Sequence, residues 1–397
     1  MQNLQNLSHS VPQPAKTGFA AETGVGLYFH IPFCVSKCAY CAFSSIAGGG
    51  SLIAPYVEAL HHELNRSANL GAGRTVQSVY FGGGTPSLLS PAALSGLLAH
   101  CRQAFCLASD VEITLEANPE TVTHDRIRGY LEAGVNRISM GVQSLNAEEL
   151  AELGRPHTVE RAIAAYHAVR QAGCCNVNLD LLYGLPGQTV ERWRETLRRV
   201  LDLGPDHLSA YALTPERGTE IGAAVTNGLL MLPADEVIDQ QEAVLYQAVA
   251  RAGLLRYEVS NYARPGATCR HNVLYWRCDD WLGFGASAHS HLAGQRWWNR
   301  FDALDYIAGV RQHASIAGME TLPLSQRINE ALGFGLRMLD GVSRVRLTRR
   351  FGADPWILKA QGLAQLVDWG LLKADSQTIR LTPEGLALAD SVAVSLF

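Results

Sequence analysis

Three cysteines, Cys34, Cys38 and Cys41, stand in a C-x3-C-x2-C spacing just after the apolar run Leu27 to Ile31. Ordinary protein-held clusters take four cysteines, so three thiolates can hold three irons of a four-iron cluster and leave the fourth iron open to another ligand. A structural zinc site favours four ligands drawn from paired clusters, and no second C-x2-C pair occurs in the chain. A disulfide set is disfavoured too. Nine cysteines is an odd number, and the polar first residues lack the basic start and apolar block of a secretory segment. The fold is therefore expected to present this loop where an open iron can meet a ligand.

The 397 residues suffice for one large domain and a smaller one, and 47% apolar content is ample for a buried core. Thirty-three basic against 37 acidic residues give a net charge of -4, which offers no electrostatic case for a nucleic-acid partner. No apolar run approaches the roughly 20 residues that a membrane helix needs. Residues 1–24 read as a flexible polar tail, and the protein is expected to be cytoplasmic with reduced thiols.

From Leu27 onward one unit repeats: a short apolar strand, a glycine-rich or polar turn, then an amphipathic helix. The expected strands are Leu27 to Ile31, Val76 to Phe81, Val111 to Glu116, Arg137 to Met140, Asn176 to Tyr183 and His207 to Leu213. Alternating strands and helices, with near-continuous apolar strands, predict an α/β architecture: a parallel sheet with helices outside it. Six units predict a partial (β/α)6 barrel over residues 25–255, with reactive residues on the loops that leave the C-terminal strand ends. Polar or glycine residues recur at that rim: the cysteines after the first strand, Gly82 to Gly84 with Thr85 after the second, then Glu116, Gln143 and Asp180.

Three consecutive glycines let backbone groups approach a ligand closely, although they also serve as a tight turn. A carboxylate at a strand end, such as Glu116, suits ribose hydroxyls. Gln143 and Asp180 are individually weak signals, because buried amides and carboxylates are usually satisfied structural groups.

Several runs together carry a resemblance. Tyr28-Phe29-His30-Ile31-Pro32-Phe33-Cys34, Gly82-Gly83-Gly84-Thr85-Pro86, Leu115-Glu116-Ala117-Asn118-Pro119, Ser139-Met140-Gly141-Val142-Gln143 and Asp180-Leu181-Leu182-Tyr183-Gly184 resemble the oxygen-independent coproporphyrinogen III oxidase family of radical S-adenosylmethionine (SAM) proteins. The resemblance implies a [4Fe-4S] cluster on Cys34, Cys38 and Cys41 with SAM on the open iron. It also implies a SAM pocket of Tyr28, Gly83, Gly84, Thr85, Glu116, Gln143, Arg155 and Asp180. In one respect the chain departs from the oxidases, which usually carry a further cysteine two residues after the third; here that position is Phe43. Phenylalanine there is typical of the HemW branch, whose members look like the oxidase but act as haem chaperones.

Residues 256–322 are expected to connect the barrel to a final domain and to touch haem. His271-Asn272-Val273-Leu274-Tyr275-Trp276 matches the HNxxYW pattern associated with haem in that branch. Trp276, Trp281, Trp297 and Trp298, four of the seven tryptophans, lie here with His271, His289 and His291. Haem needs an apolar slot and an axial donor, commonly imidazole, though histidines among aromatics are ordinarily core groups. His271 is the leading haem candidate, with Tyr275, Trp276 and Cys269 beside it.

Residues 323–397 read as helices, a short hairpin and a last helix from Pro383, a winged-helix-like unit. It has no strong basic stripe, which favours a lid or docking module over nucleic-acid binding.

The resemblance thus implies a haem chaperone that passes haem to an acceptor protein, a delivery that could involve transient membrane contact. The rival is a radical enzyme acting on coproporphyrinogen III or another tetrapyrrole, and Phe43 counts against the oxidase itself.

Overall fold

The computed structural model describes residues 24–396. Residues 1–23, most of the expected tail, lie outside the described residues, and Gly24 already opens the first strand.

The barrel strands are β1 (Gly24–Ile31), β4 (Thr75–Gly83), β5 (Cys106–Ala117), β6 (Arg137–Gln143), β7 (Val177–Tyr183) and β8 (His207–Ala212), all parallel and adjacent in chain order. Between β1 and β4, the short strands β2 (Phe33–Cys34) and β3 (Ile46–Ala47) pair with each other. Helices α1 (Ile53–Ser67), α2 (Pro91–Ala104), α3 (His124–Ala133), α4 (Ala147–Glu152), α5 (Val159–Gln171) and α6 (Val190–Asp202) fill the crossovers. The repeated Thr-Val-Glu-Arg at the starts of α5 and α6 works identically in both. Thr158 and Thr189 each accept a hydrogen bond from the backbone amide three residues on, satisfying a donor the helix leaves free.

The strands alternate, where near-continuous apolar runs were expected. In β6, Ile138, Met140 and Val142 pack outward into the core, while Arg137, Ser139, Gly141 and Gln143 line a cavity inside the barrel. A period of two places successive side chains on opposite faces. The apolar layer thus lies between sheet and helices, and the barrel interior is polar.

The segment expected to connect the two parts instead extends the sheet at both edges. After α7 (Glu220–Thr226) and α8 (Asp235–Arg251), strands β9 (Leu255–Arg256) and β10 (Asn261–Ala263) continue antiparallel from β8. Helix α9 (Arg270–Trp276) then crosses to β11 (Trp281–Phe284), parallel to β1 on its free side. Strands β12 (His289–Leu292), β13 (Gln295–Asn299) and β14 (Ile316–Thr321) complete a sheet of 12 strands.

The C-terminal unit has its own core, with Leu332, Phe351 and Ile379 at its centre. Helices α10 (Leu324–Gly335), α11 (Arg344–Phe351) and α12 (Ala360–Asp368) pack there with the small sheet of β15 (Val342–Ser343), β16 (Leu372–Ala374) and β17 (Thr378–Leu381). Among the described residues, no helix is long and apolar enough to cross a membrane.

Candidate functional site

The loop after β1 carries the three thiols, and backbone bonds hold it on several sides. Gly48 N donates to Cys34 O across 3.1 Å, Ala39 N donates to Leu153 O across 3.0 Å, and Ile221 N donates to Ala39 O across 3.0 Å. Cys34, Cys38 and Cys41 are half-buried free thiols at the mouth of the barrel cavity. Burial pushes the Cys41 thiol up, and the neighbouring Cys38 and Cys34 add to the effect. Among the described residues, no three His, Cys, Asp or Glu side chains converge as one metal ion requires. The soft sulfur donors of the thiol trio fit an iron–sulfur group.

A chain of hydrogen bonds joins two of the sulfurs from behind. Thr85 Oγ1 donates to Cys34 Sγ at 3.6 Å, and Asn118 Nδ2 donates to Thr85 Oγ1 at 2.9 Å. Arg155 reaches Asn118 Oδ1 at 2.8 Å, Gly141 O at 2.7 Å and, through Nη1, Cys38 Sγ at 3.4 Å. Thr85 and Arg155, chosen from sequence, are thereby brought together. Asn118, named from sequence only within the run Leu115 to Pro119, is the link between them.

The glycine loop has little room for side chains. A Cβ on Gly84 would lie 2.8 Å from Phe33 O and 2.9 Å from Cys34 Sγ, and Gly83 adopts φ +115° with His30 2.7 Å from its would-be Cβ. Gln143 holds φ 68° at a break in the β6–β7 register, an uncommon backbone state for a residue with a side chain.

Two acids face the same cavity. Glu116 accepts from Tyr80 OH at 2.7 Å and from Gly83 N at 3.1 Å, and burial lifts its carboxyl to about 7. Asp180 accepts from Asn178 Nδ2 at 2.7 Å and from Ser139 Oγ at 3.4 Å, and burial raises it as well. Tyr28 donates its hydroxyl bond to His30 Nδ1 at 3.0 Å, and its ring lies 6.2 Å from those of Tyr80 and His271, which stack on each other at 5.0 Å. The expected SAM residues other than Thr85 all line one cavity of about 590 Å³, with the cysteines at its mouth and Phe43 exposed beside them. Thr85 sits behind the sulfur of Cys34.

The haem candidates divide. His271, Tyr275 and Cys269 border this same cavity, whereas Trp276 turns towards the C-terminal unit, where the Arg337 guanidinium lies 4.7 Å from its ring centre. Both His271 ring nitrogens are engaged, Nδ1 with Ser78 Oγ at 2.8 Å and Nε2 with Tyr275 OH at 3.1 Å. Burial, with the positive Arg137 nearby, lowers this imidazole to about 3, so it is neutral. Cys269 is fully buried and its thiol is pushed up to about 12. His289 stacks on Trp298 in the outer strands, and His291 lies against Trp281. These aromatics and imidazoles do not form a single slot. The interior also contains Arg137 and His207, which sequence reasoning missed and which the period of two in β6 and β8 could have flagged.

Comparison with known proteins agrees with this geometry. Residues 28–200 match the Radical SAM superfamily and residues 322–388 match the HemN C-terminal domain. The heme chaperone HemW of Mycobacterium tuberculosis is 37% identical over 377 residues, 94% of each chain. The chain belongs to the HemW family. HemW of Escherichia coli K12 is 44% identical over 269 residues, covering 68% of this chain and 70% of its own. The E. coli coproporphyrinogen III oxidase HemN, a radical SAM enzyme, superimposes with a TM-score of 0.82 at 26% identity, covering 98% of this chain and 91% of that one. The family thus places HemW proteins in the radical SAM superfamily, which implies a [4Fe-4S] cluster and SAM.

Proposed function

We propose that this protein binds haem and hands it to an acceptor protein, with Cys34, Cys38 and Cys41 holding the cluster. The observation that carries the reading is the match to a heme chaperone across 94% of both chains. The local chemistry supports it. Arg155 and Thr85 donate to cysteine sulfurs and would hold two thiolates in place, as outer-shell partners of metal ligands do. Gly83 and Gly84 would let the amino acid end of SAM approach backbone groups, and Glu116 would accept from its ribose hydroxyls. When bound, the cluster and SAM would supply one-electron chemistry. In this reading His271 is the axial donor, and one of its two hydrogen bonds must open for it to reach iron.

The test is an anaerobic haem titration of the cluster-reconstituted chain beside His271→Ala. Saturable binding that weakens in the variant supports the proposal. Absence of saturable binding to the unmodified protein ends it. Sustained conversion of coproporphyrinogen III with reductant and SAM would establish the rival activity instead.

A further inference from the structure

Arg137 opens β6 inside the barrel and is 2% exposed. Among the described residues its guanidinium forms no hydrogen bond and no ion pair, and its Nε is sealed from solvent without an acceptor. A buried guanidinium has five donors and cannot shed its charge, so leaving it unpaired is strongly unfavourable.

The nearby carboxylates form no hydrogen bond to it, although Glu112 favours its charge from a distance. Glu112 accepts from the backbone amides of Arg270 and His271, at 3.0 and 3.2 Å, at the start of α9. Glu116 and Asp180 are bonded to Tyr80, Gly83, Asn178 and Ser139, and burial shifts both towards their neutral forms. The imidazoles of His207 and His271 are kept neutral by burial and by Arg137 itself. Arg137 is thus the cationic group at the inner end of a cavity whose mouth carries the cysteines.

We infer that Arg137 is the anchor for a carboxylate of the ligand that enters the barrel, a side-chain carboxylate of haem on the reading above. The planar fork of a guanidinium matches the two oxygens of a carboxylate. The inference deepens the proposed function and rests on it for the identity of the ligand, but not for the class of group recognised. Arg137 would select for the free acid over an ester of the same shape.

The experiment uses the full, cluster-reconstituted chain, anaerobically and at fixed ionic strength, as the unmodified protein and as Arg137→Gln, Arg137→Lys and Arg137→Met. Sodium propionate, propionamide, haem and haem dimethyl ester are the probes. Propionate is expected to raise the melting temperature of the unmodified protein by about 1–3 °C near tenfold excess over its Kd, and propionamide to leave it unchanged. Arg137→Gln should lose the propionate response while keeping its cluster absorption and, near pH 9 where Glu116 is ionised, its SAM affinity, and Arg137→Lys should keep part of the response. Arg137→Met should melt no lower than the ligand-free unmodified protein, because it removes an unpaired buried charge. The unmodified protein should prefer haem over its dimethyl ester by about tenfold, a preference lost in Arg137→Gln.

An equal propionate response in Arg137→Gln, an equal response to propionamide, or a parallel loss of SAM affinity near pH 9 would overturn the anchor. Failure of both Arg137→Gln and Arg137→Met to fold would make Arg137 a structural group and overturn it too. If propionate behaves as expected but haem does not bind, the anchor stands and the haem reading falls.

Discussion

Arg155 donates to the Cys38 sulfur across 3.4 Å, although the two residues lie 117 positions apart. The bond ties the connection between α4 and α5 to the loop after β1. It also aims a positive charge at a thiol that must be ionised to hold iron. Arg155→Gln should lower cluster occupancy or SAM affinity about 10- to 100-fold, the usual cost of losing an outer-shell partner. Arg155→Lys should recover little, because one ammonium nitrogen does not reproduce the planar fork whose Nη1 serves Cys38 while Nη2 serves Asn118 and Gly141. Iron content and equilibrium dialysis with labelled SAM measure both effects, and unchanged values in Arg155→Gln would remove the residue from this role.

Gly84 tests the same corner by steric means. A methyl group there would meet Phe33 O at 2.8 Å and Cys34 Sγ at 2.9 Å, and the backbone oxygen cannot swing aside. Gly84→Ala should therefore displace Cys34 and cost about 1–3 kcal/mol of stability. The expected signature is lost cluster absorption with a far-ultraviolet dichroism spectrum that stays native. Full iron loading of Gly84→Ala would show that the loop has room to give.

Much of this was legible in the sequence because barrel strands and helices repeat a local pattern. The six parallel strands, the cysteine loop and the glycine turn each announce themselves within a few residues. What stayed hidden depends on partners distant in sequence. Asn118 is one residue of the run Leu115 to Pro119 in the sequence, and only folding sets it between Thr85 and Arg155. Arg137 looked like the polar start of an apolar strand, and its meaning follows from facing inward where Ile138 faces out. Clustering of Trp and His in sequence likewise overstated their proximity, since α9 sends His271 and Trp276 to different surroundings.

Glu116 should make SAM binding depend on pH. Burial holds its carboxyl at about 7 against an ordinary 4.5. Between those values the folded protein retains a proton that the unfolded chain has released. Stability therefore falls as pH rises through this window, and the full cost is present above it. Hydroxyl donors are accepted best by the ionised form, so SAM affinity should rise about tenfold from pH 6 to pH 8. Glu116→Gln should flatten that profile. Glu63 also sits at about 7, so the melting curve alone does not separate the two, and SAM affinity is the deciding measurement. A steep profile that survives in Glu116→Gln would assign the dependence to another group.

Tyr275 decides whether His271 is free to bind iron. Its hydroxyl lies 3.1 Å from His271 Nε2, and Ser78 Oγ holds Nδ1 at 2.8 Å, so the ring carries one proton and has no spare lone pair in this state. If Nε2 is the axial donor, breaking the Tyr275 bond is part of the cost of haem binding. Tyr275→Phe removes that bond and keeps the ring that packs against Trp281. Haem affinity should then rise about 3- to 10-fold, since a neutral hydrogen bond contributes about 0.5–1.5 kcal/mol net. His271→Ala should abolish the gain in the double variant. If Tyr275→Phe instead weakens haem binding while the cluster stays loaded, the tyrosine hydroxyl itself is part of the haem contact. Ser78→Ala distinguishes the nitrogens, because it should raise affinity only if Nδ1 is the atom that turns to iron.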